Sequence, residues 1–230
     1  MSVRLALLQR LLPTFVKLRI LDELTRITAE GFAAEVPHWT GRLFDDRVRA
    51  YAEFTAREAG RLVADADHAA IEAAQERLRR GATNLGAKVR RDLGFRRPDE
   101  AFAALKLLYH QIGIEVTGGP AGSPAGDASP ARRPVGAGDG DLGAAGDSAA
   151  AAAGAPGLGG DPVADEITVT RCFFADYYTE PVCRVIAALD AGLAAGLFGG
   201  ASFEFTQRLT EGKPCCRAIL RPLGRGGAAQ

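Results

Sequence analysis

The sequence predicts an α+β fold, with N-terminal helices packed on a small antiparallel sheet in the order β–insertion–β–α–β–β. Three observations predict it. Through residue 112, apolar side chains recur at spacings of three and four, which marks one face of a helix. After residue 165 the period falls to two, with a single apolar helix between strands. Between these regions, residues 118–162 are mostly Gly, Ala and Pro, with no aromatic residue.

Taken in order, Leu5, Leu8, Leu12, Phe15, Leu18 and Leu21 form the first apolar stripe. Pro13 should kink or divide that helix, because it removes a backbone donor and crowds the preceding turn. A second helix is expected over 41–61, with Leu43, Val48, Tyr51, Phe54 and Ala59 inward. Asp65 could cap a third that buries Ile71, Leu78 and Leu85. Pro98 and Asp99 open a fourth, with Phe102, Leu105, Leu108 and Tyr109 on its buried side.

IGIEV (112–116) reads as a short strand. The segment 118–162 cannot bury enough apolar surface to offset its ordering entropy, so disorder is expected. EITVTRCF (166–173) is a strand on which Ile167, Val169, Arg171 and Phe173 face one way and Thr168, Thr170 and Cys172 the other. Thr179-Glu180-Pro181 starts a helix with Val182, Val185, Ile186, Leu189 and Leu193 as its stripe, and Gly192, Gly196, Gly199 and Gly200 as its end. SFEFTQRL (202–209) and CCRAILR (215–221) then form a hairpin.

The same pattern gives the domain organisation. Residues 1–117 are a helical region ending in the first strand, 118–162 an insertion, and 163–222 the β-α-β-β remainder of the same domain. Loop-closure entropy grows only logarithmically with length, so a hairpin tolerates such an insertion. The alternative is a tether between two domains.

Composition narrows the function. Twenty-eight basic residues balance 28 acidic ones, which argues against a polyanion partner such as nucleic acid. No run of about 18 apolar residues or signal-peptide pattern is visible, so a cytoplasmic protein without membrane spans is expected. G-x-G-x-x-G in a βαβ setting, P-loop, H-E-x-x-H and G-x-S-x-G motifs are absent. The four cysteines, Cys172, Cys183, Cys215 and Cys216, lack the paired spacing of a zinc site. No cofactor or metal is expected. The partner is a small-molecule substrate, and homodimerisation is left open.

Cys172 is a candidate nucleophile if a helix N-terminus, here the one at Thr179, lowers its pKa. Cys183 reads as a small core residue. Asp190 lies in an apolar helix, either on a solvated face or buried, where its raised pKa would suit a general acid. Arg208, Glu204, Ser202 and Thr206 form a polar row on one strand face, expected to be the solvent side. His38, His68 and His110 read as structural or exposed, with His38 the best placed for a site.

The run RCFFADYYTEPVCRVIAALDAG, followed by FEFTQRLTEGKPCCRAIL, resembles the L-2-amino-thiazoline-4-carboxylic acid hydrolase-like family. The shared pattern is a strand ending in Cys with aromatics after it, a helix with an Asp, and a Thr-x-Gly turn before a Cys. Its positions here are Cys172, Phe174, Asp190, Thr210, Gly212, and Cys215 or Cys216. About 60 residues carry the resemblance. Members often have a further Cys beside the Asp, where this chain has Ala187 and Ala188. The resemblance implies hydrolytic opening of a cyclic amidine toward carbamoyl-cysteine and cysteine. It implies Cys172 as nucleophile or ligand, Asp190 as acid, and Arg208, Thr210, Cys216 and Phe174 as substrate contacts. A non-catalytic binding or sensor module and an accessory protein of a biosynthetic pathway are the alternatives.

Overall fold

Apolar stripes on the helices and alternating strands leave one solution: the helices must cover one face of the sheet. A computed structural model of the chain describes residues 14–39, 43–118 and 165–222. It contains α1 (Thr14–Phe32), α2 (Phe44–Ala64), α3 (His68–Leu93), α4 (Pro98–Gln111), β1 (Ile114–Gly118), β2 (Asp165–Cys172), α5 (Glu180–Phe198), β3 (Ala201–Gln207) and β4 (Cys216–Pro222). The expected α+β class is what the structure has: among the described residues, five helices and a four-stranded sheet in the order β1-β2-β4-β3, every neighbouring pair antiparallel. The described residues belong to one unit of the chain. The expected kink at Pro13, the apolar positions 5, 8 and 12, and the insertion from 119 to 162 lie outside the described residues.

Several helix starts match their chemistry. Pro98 opens α4 and Glu180-Pro181 opens α5. The cap of α3 is a correction. Asp67 accepts from the Ala70 amide at 3.1 Å, whereas Asp65 is the last-turn cap of α2. A side-chain acceptor two residues nearer the helix satisfies an amide that Asp65 cannot reach.

One sheet face is wet and the other dry, the usual antiparallel arrangement. Ion pairs Glu115–Arg171 (3.6 Å), Glu166–Arg217 (3.4 Å) and Glu204–Arg221 (3.7 Å) populate the wet face. Ile167, Val169, Phe203, Cys216, Ala218 and Leu220 are buried on the other.

α5 is central. It packs on α3 and β3 and touches α2 and α4. It is long and apolar enough to cross a membrane by composition, and half of that apolar window is buried inside this molecule. Gly192 and Gly196 do not end it, contrary to the sequence expectation. They lie inside the helix, and the left-handed Gly199 (φ 71°) terminates it. The inner glycines serve a close approach. A Cβ on Gly192 would lie 2.2 Å from the Arg79 carbonyl oxygen, and one on Gly196 2.2 Å from that of Thr83. Gly86 meets α5 from the other side, where its Cβ would fall 2.5 Å from the Leu193 carbonyl oxygen. All these neighbours are backbone, so no side chain can rotate away.

Gly196→Ala should therefore force α3 and α5 apart and lower stability by about 1–3 kcal/mol. Gly60→Ala, on an α2 face with nothing within 4 Å of the added methyl, should raise it by about 0.5–1 kcal/mol. Chemical denaturation of the two variants checks both signs; equal effects would contradict the close packing.

Candidate functional site

The strands should alternate, and in two places they do not. Val116 pairs with Val169 while Glu115 pairs with Arg171, so Thr170 is an extra, unpaired residue in β2. This bulge flips the phase of the residues after it. Cys172 comes to the buried side with Ile167 and Val169, and Arg171 turns out to Glu115. Uninterrupted alternation would place both on the opposite faces.

The same device recurs in β3. Phe205 pairs with Ala218 and Gln207 with Arg217, leaving Thr206 unpaired. Ser202, Glu204 and Thr206 face solvent as expected. Arg208 does not: its side chain is only 13% exposed and turns inward with Phe205. The two bulges thus bring Cys172 and Arg208 to one cavity.

That cavity has a volume of about 120 Å³. Its walls include Cys172 at the end of β2 and Phe174 after it, Cys183 and Asp190 of α5, Arg208 and Thr210 after β3, and Cys216 of β4. All six site residues expected from sequence therefore share one space. The hairpin register settles which of the adjacent thiols faces inward: Cys216, opposite Val169, is buried. Cys215 lies outside the cavity lining and its thiol accepts from the Gln207 amide at 3.1 Å. His38, His68 and His110 are exposed and line none of it.

Asp190 is the electrostatic centre. It lines the cavity and is half-buried there. Burial raises its pKa to about 6, against the opposing pull of the Tyr109 hydrogen bond and the Arg208 charge. Tyr109 of α4 donates to Asp190 Oδ1 at 2.6 Å. Sequence identified Tyr109 only as a core position, since its partner lies on a helix 81 residues away.

Tyr51, buried, and Tyr178, half-buried, are already committed. Thr28 donates to the Leu24 carbonyl at 2.8 Å and so accepts from Tyr51 at 3.0 Å. Thr55 donates to its own helix and accepts from Tyr178. Their rings wall the cavity instead: Phe174 meets Tyr51 edge-on at 6.0 Å and stacks on Tyr178 at 5.5 Å.

The thiols are held neutral. Burial pushes Cys172 up to about 12, although the Phe174 and Ala175 amides pull the other way. Those amides belong to the single 3₁₀ turn Phe173–Asp176. Burial also raises Cys183 and Cys216. A thiol is a poor nucleophile in that state.

Arg208 and Thr210 are underused. Arg208 bonds Glu211 at 3.3 Å, and Glu211 is shared with Arg184 at 2.9 Å. The guanidinium also covers the Phe205 ring at 5.2 Å. Yet Arg208 Nε is buried without a partner, and so is Thr210 Oγ1. The Thr210 hydroxyl lies close enough to Cys183 to oppose its upward shift, but without hydrogen-bond geometry. Unpaired buried polar atoms cost about 1–3 kcal/mol each, so two on one cavity wall fit a polar ligand group. Among the described residues, no three His, Cys, Asp or Glu side chains are grouped to hold a metal ion.

The raised pKa of Asp190 carries a stability consequence. The folded state binds its proton more tightly than the unfolded chain, so the stabilisation is complete at low pH and is lost as pH rises through about 6. Asp190→Asn removes the charge and keeps an acceptor for Tyr109. The variant should be more stable than wild type at pH 8, on the order of 2–3 kcal/mol, with the gap closing toward pH 4. Denaturant melts across that range check it; a variant less stable at pH 8 would contradict the buried carboxylate.

No protein-family model, curated protein or solved structure matches the chain.

Proposed function

We propose that the cavity is the active site of a hydrolase that opens a small cyclic amidine bearing a carboxylate, of the 2-amino-thiazoline-4-carboxylate type. One observation carries this reading: unpartnered Arg208 Nε and Thr210 Oγ1 share a cavity with a carboxyl whose pKa is near neutrality. A substrate carboxylate would satisfy both atoms, and the planar guanidinium edge suits it. The amidine ring would lie against Phe174 within reach of Asp190.

Attack falls to water. Burial pushes the Cys172 thiol up to about 12, so it is protonated at neutral pH and a poor nucleophile. Water needs no standing thiolate. In this reading, water adds to the ring carbon between the heteroatoms and ionised Asp190 takes its proton. Asp190 passes that proton to the ring nitrogen as the C=N bond opens; it then takes the hydroxyl proton as the carbonyl forms, and returns it to the departing heteroatom as the bond from that carbon breaks. The sum is substrate plus one water, giving carbamoyl-cysteine. Tyr109 holds Asp190 in position throughout. Cys172 and Cys216 form neutral walls.

The test is incubation of the full chain with 2-amino-thiazoline-4-carboxylate and detection of product heavier by one water. Asp190→Asn should lower turnover by about 10²–10⁴-fold, and Cys172→Ser should keep it within about tenfold. Because Asp190 must be ionised to accept a proton, kcat/KM should rise with pH through about 6 and level off above. Loss of turnover in Cys172→Ser alone would return the attack to the thiol. Binding without product would favour the non-catalytic module.

A further inference from the structure

The polar groups nearest Asp190 come from α5, the turn after β3, and Tyr109; Lys17 of α1 and Gln111 of α4 also line the cavity. The other walls differ. Ile20 and Leu24 of α1, Val89 of α3, and Leu108 and Ile112 at the end of α4 line the same space. Each is only half-buried. Apolar side chains that face a cavity and stay half-buried are waiting for apolar surface to cover them, at roughly 25 cal/mol per Å². A small polar ring at Arg208 would leave this lining uncovered.

Size sets the length of what is missing. A dry apolar cavity near 150 Å³ admits a benzene-sized group, and this one is about 120 Å³. We infer that the ligand is amphipathic: a carboxylate whose apolar arm, about three to four carbons long, lies against α1, α3 and α4. The inference rests on the reading that Arg208 and Thr210 take a carboxylate, and it narrows the substrate to carboxylates with an apolar substituent. The cavity then discriminates by two independent contacts. One is charged and fixes the head. The other is apolar and measures the arm.

The experiment is a calorimetric titration of the full chain with straight-chain carboxylates from acetate to octanoate, with pentanol as the head-group control. Each added methylene should tighten binding about three- to fourfold, from about 0.8 kcal/mol per buried methylene, up to about pentanoate and no further. Arg208→Met should weaken pentanoate more than tenfold and leave pentanol unchanged. Ile112→Trp, a filling substitution at a half-buried helix end, should weaken pentanoate and pentanol alike; thermal melts of both variants establish that they fold. Affinity that does not rise with chain length overturns the apolar arm. Pentanol binding as tightly as pentanoate overturns the carboxylate head. Turnover of 2-amino-thiazoline-4-carboxylate without any gain from added methylenes would leave the hydrolase reading standing and remove this one. A chain-length gain without turnover would do the reverse.

Discussion

The approach of α5 to α3 is the constraint on which the rest depends. Gly86, Gly192 and Gly196 let the two backbones meet where any Cβ would collide with a carbonyl or amide. Packing this close fixes the depth of α5 and its rotation about its own axis, because the glycine face must point at α3. Asp190 and Cys183 are then committed to the cavity side. A buried carboxylate can only be held in place by rigid neighbours, since a mobile helix would swing it to water.

That rigidity offsets an electrostatic cost. A buried carboxyl with one hydrogen bond and one cation acting on it is poorly solvated, and its pKa near 6 expresses this. A structural role would be served as well by Asn. Burial of a titratable group with only partial compensation is what acid–base sites show. The same low-polarity surroundings keep three thiols protonated, so one environment favours proton transfer at Asp190 and disfavours thiolate chemistry at Cys172.

How much of this was legible in the sequence depended on the range of the interaction. The helix stripes and the two-residue period are local, and the fold class came from them. Thr179-Glu180-Pro181 marked the α5 start for the same reason. The bulges at Thr170 and Thr206 were not legible, because an unpaired residue is defined by its partner strand. Each one exchanged the faces of everything after it, which is why Arg208 was placed with the solvent row and Cys172 opposite Val169. The choice between Cys215 and Cys216 waited on the same register. Tyr109 carried a faint signal: a phenol on a buried stripe must find an acceptor, and Asp190 was the one carboxylate in the apolar α5 stripe. The glycines of α5 read as a helix end because a helix end and a close approach use the same residue, and only the partner helix tells them apart.

The central claim is that Asp190 is a buried carboxyl, positioned by α5 and oriented by Tyr109. The direct measurement is a carbon-13 NMR titration of its side-chain carboxyl, in wild type and in Tyr109→Phe. Burial requires a midpoint near 6 in wild type and a higher one in the variant, because the lost hydrogen bond favoured the ionised form. A midpoint near 3.8, the ordinary carboxylate value, in both proteins would mean that Asp190 is solvated and that the cavity has no proton carrier.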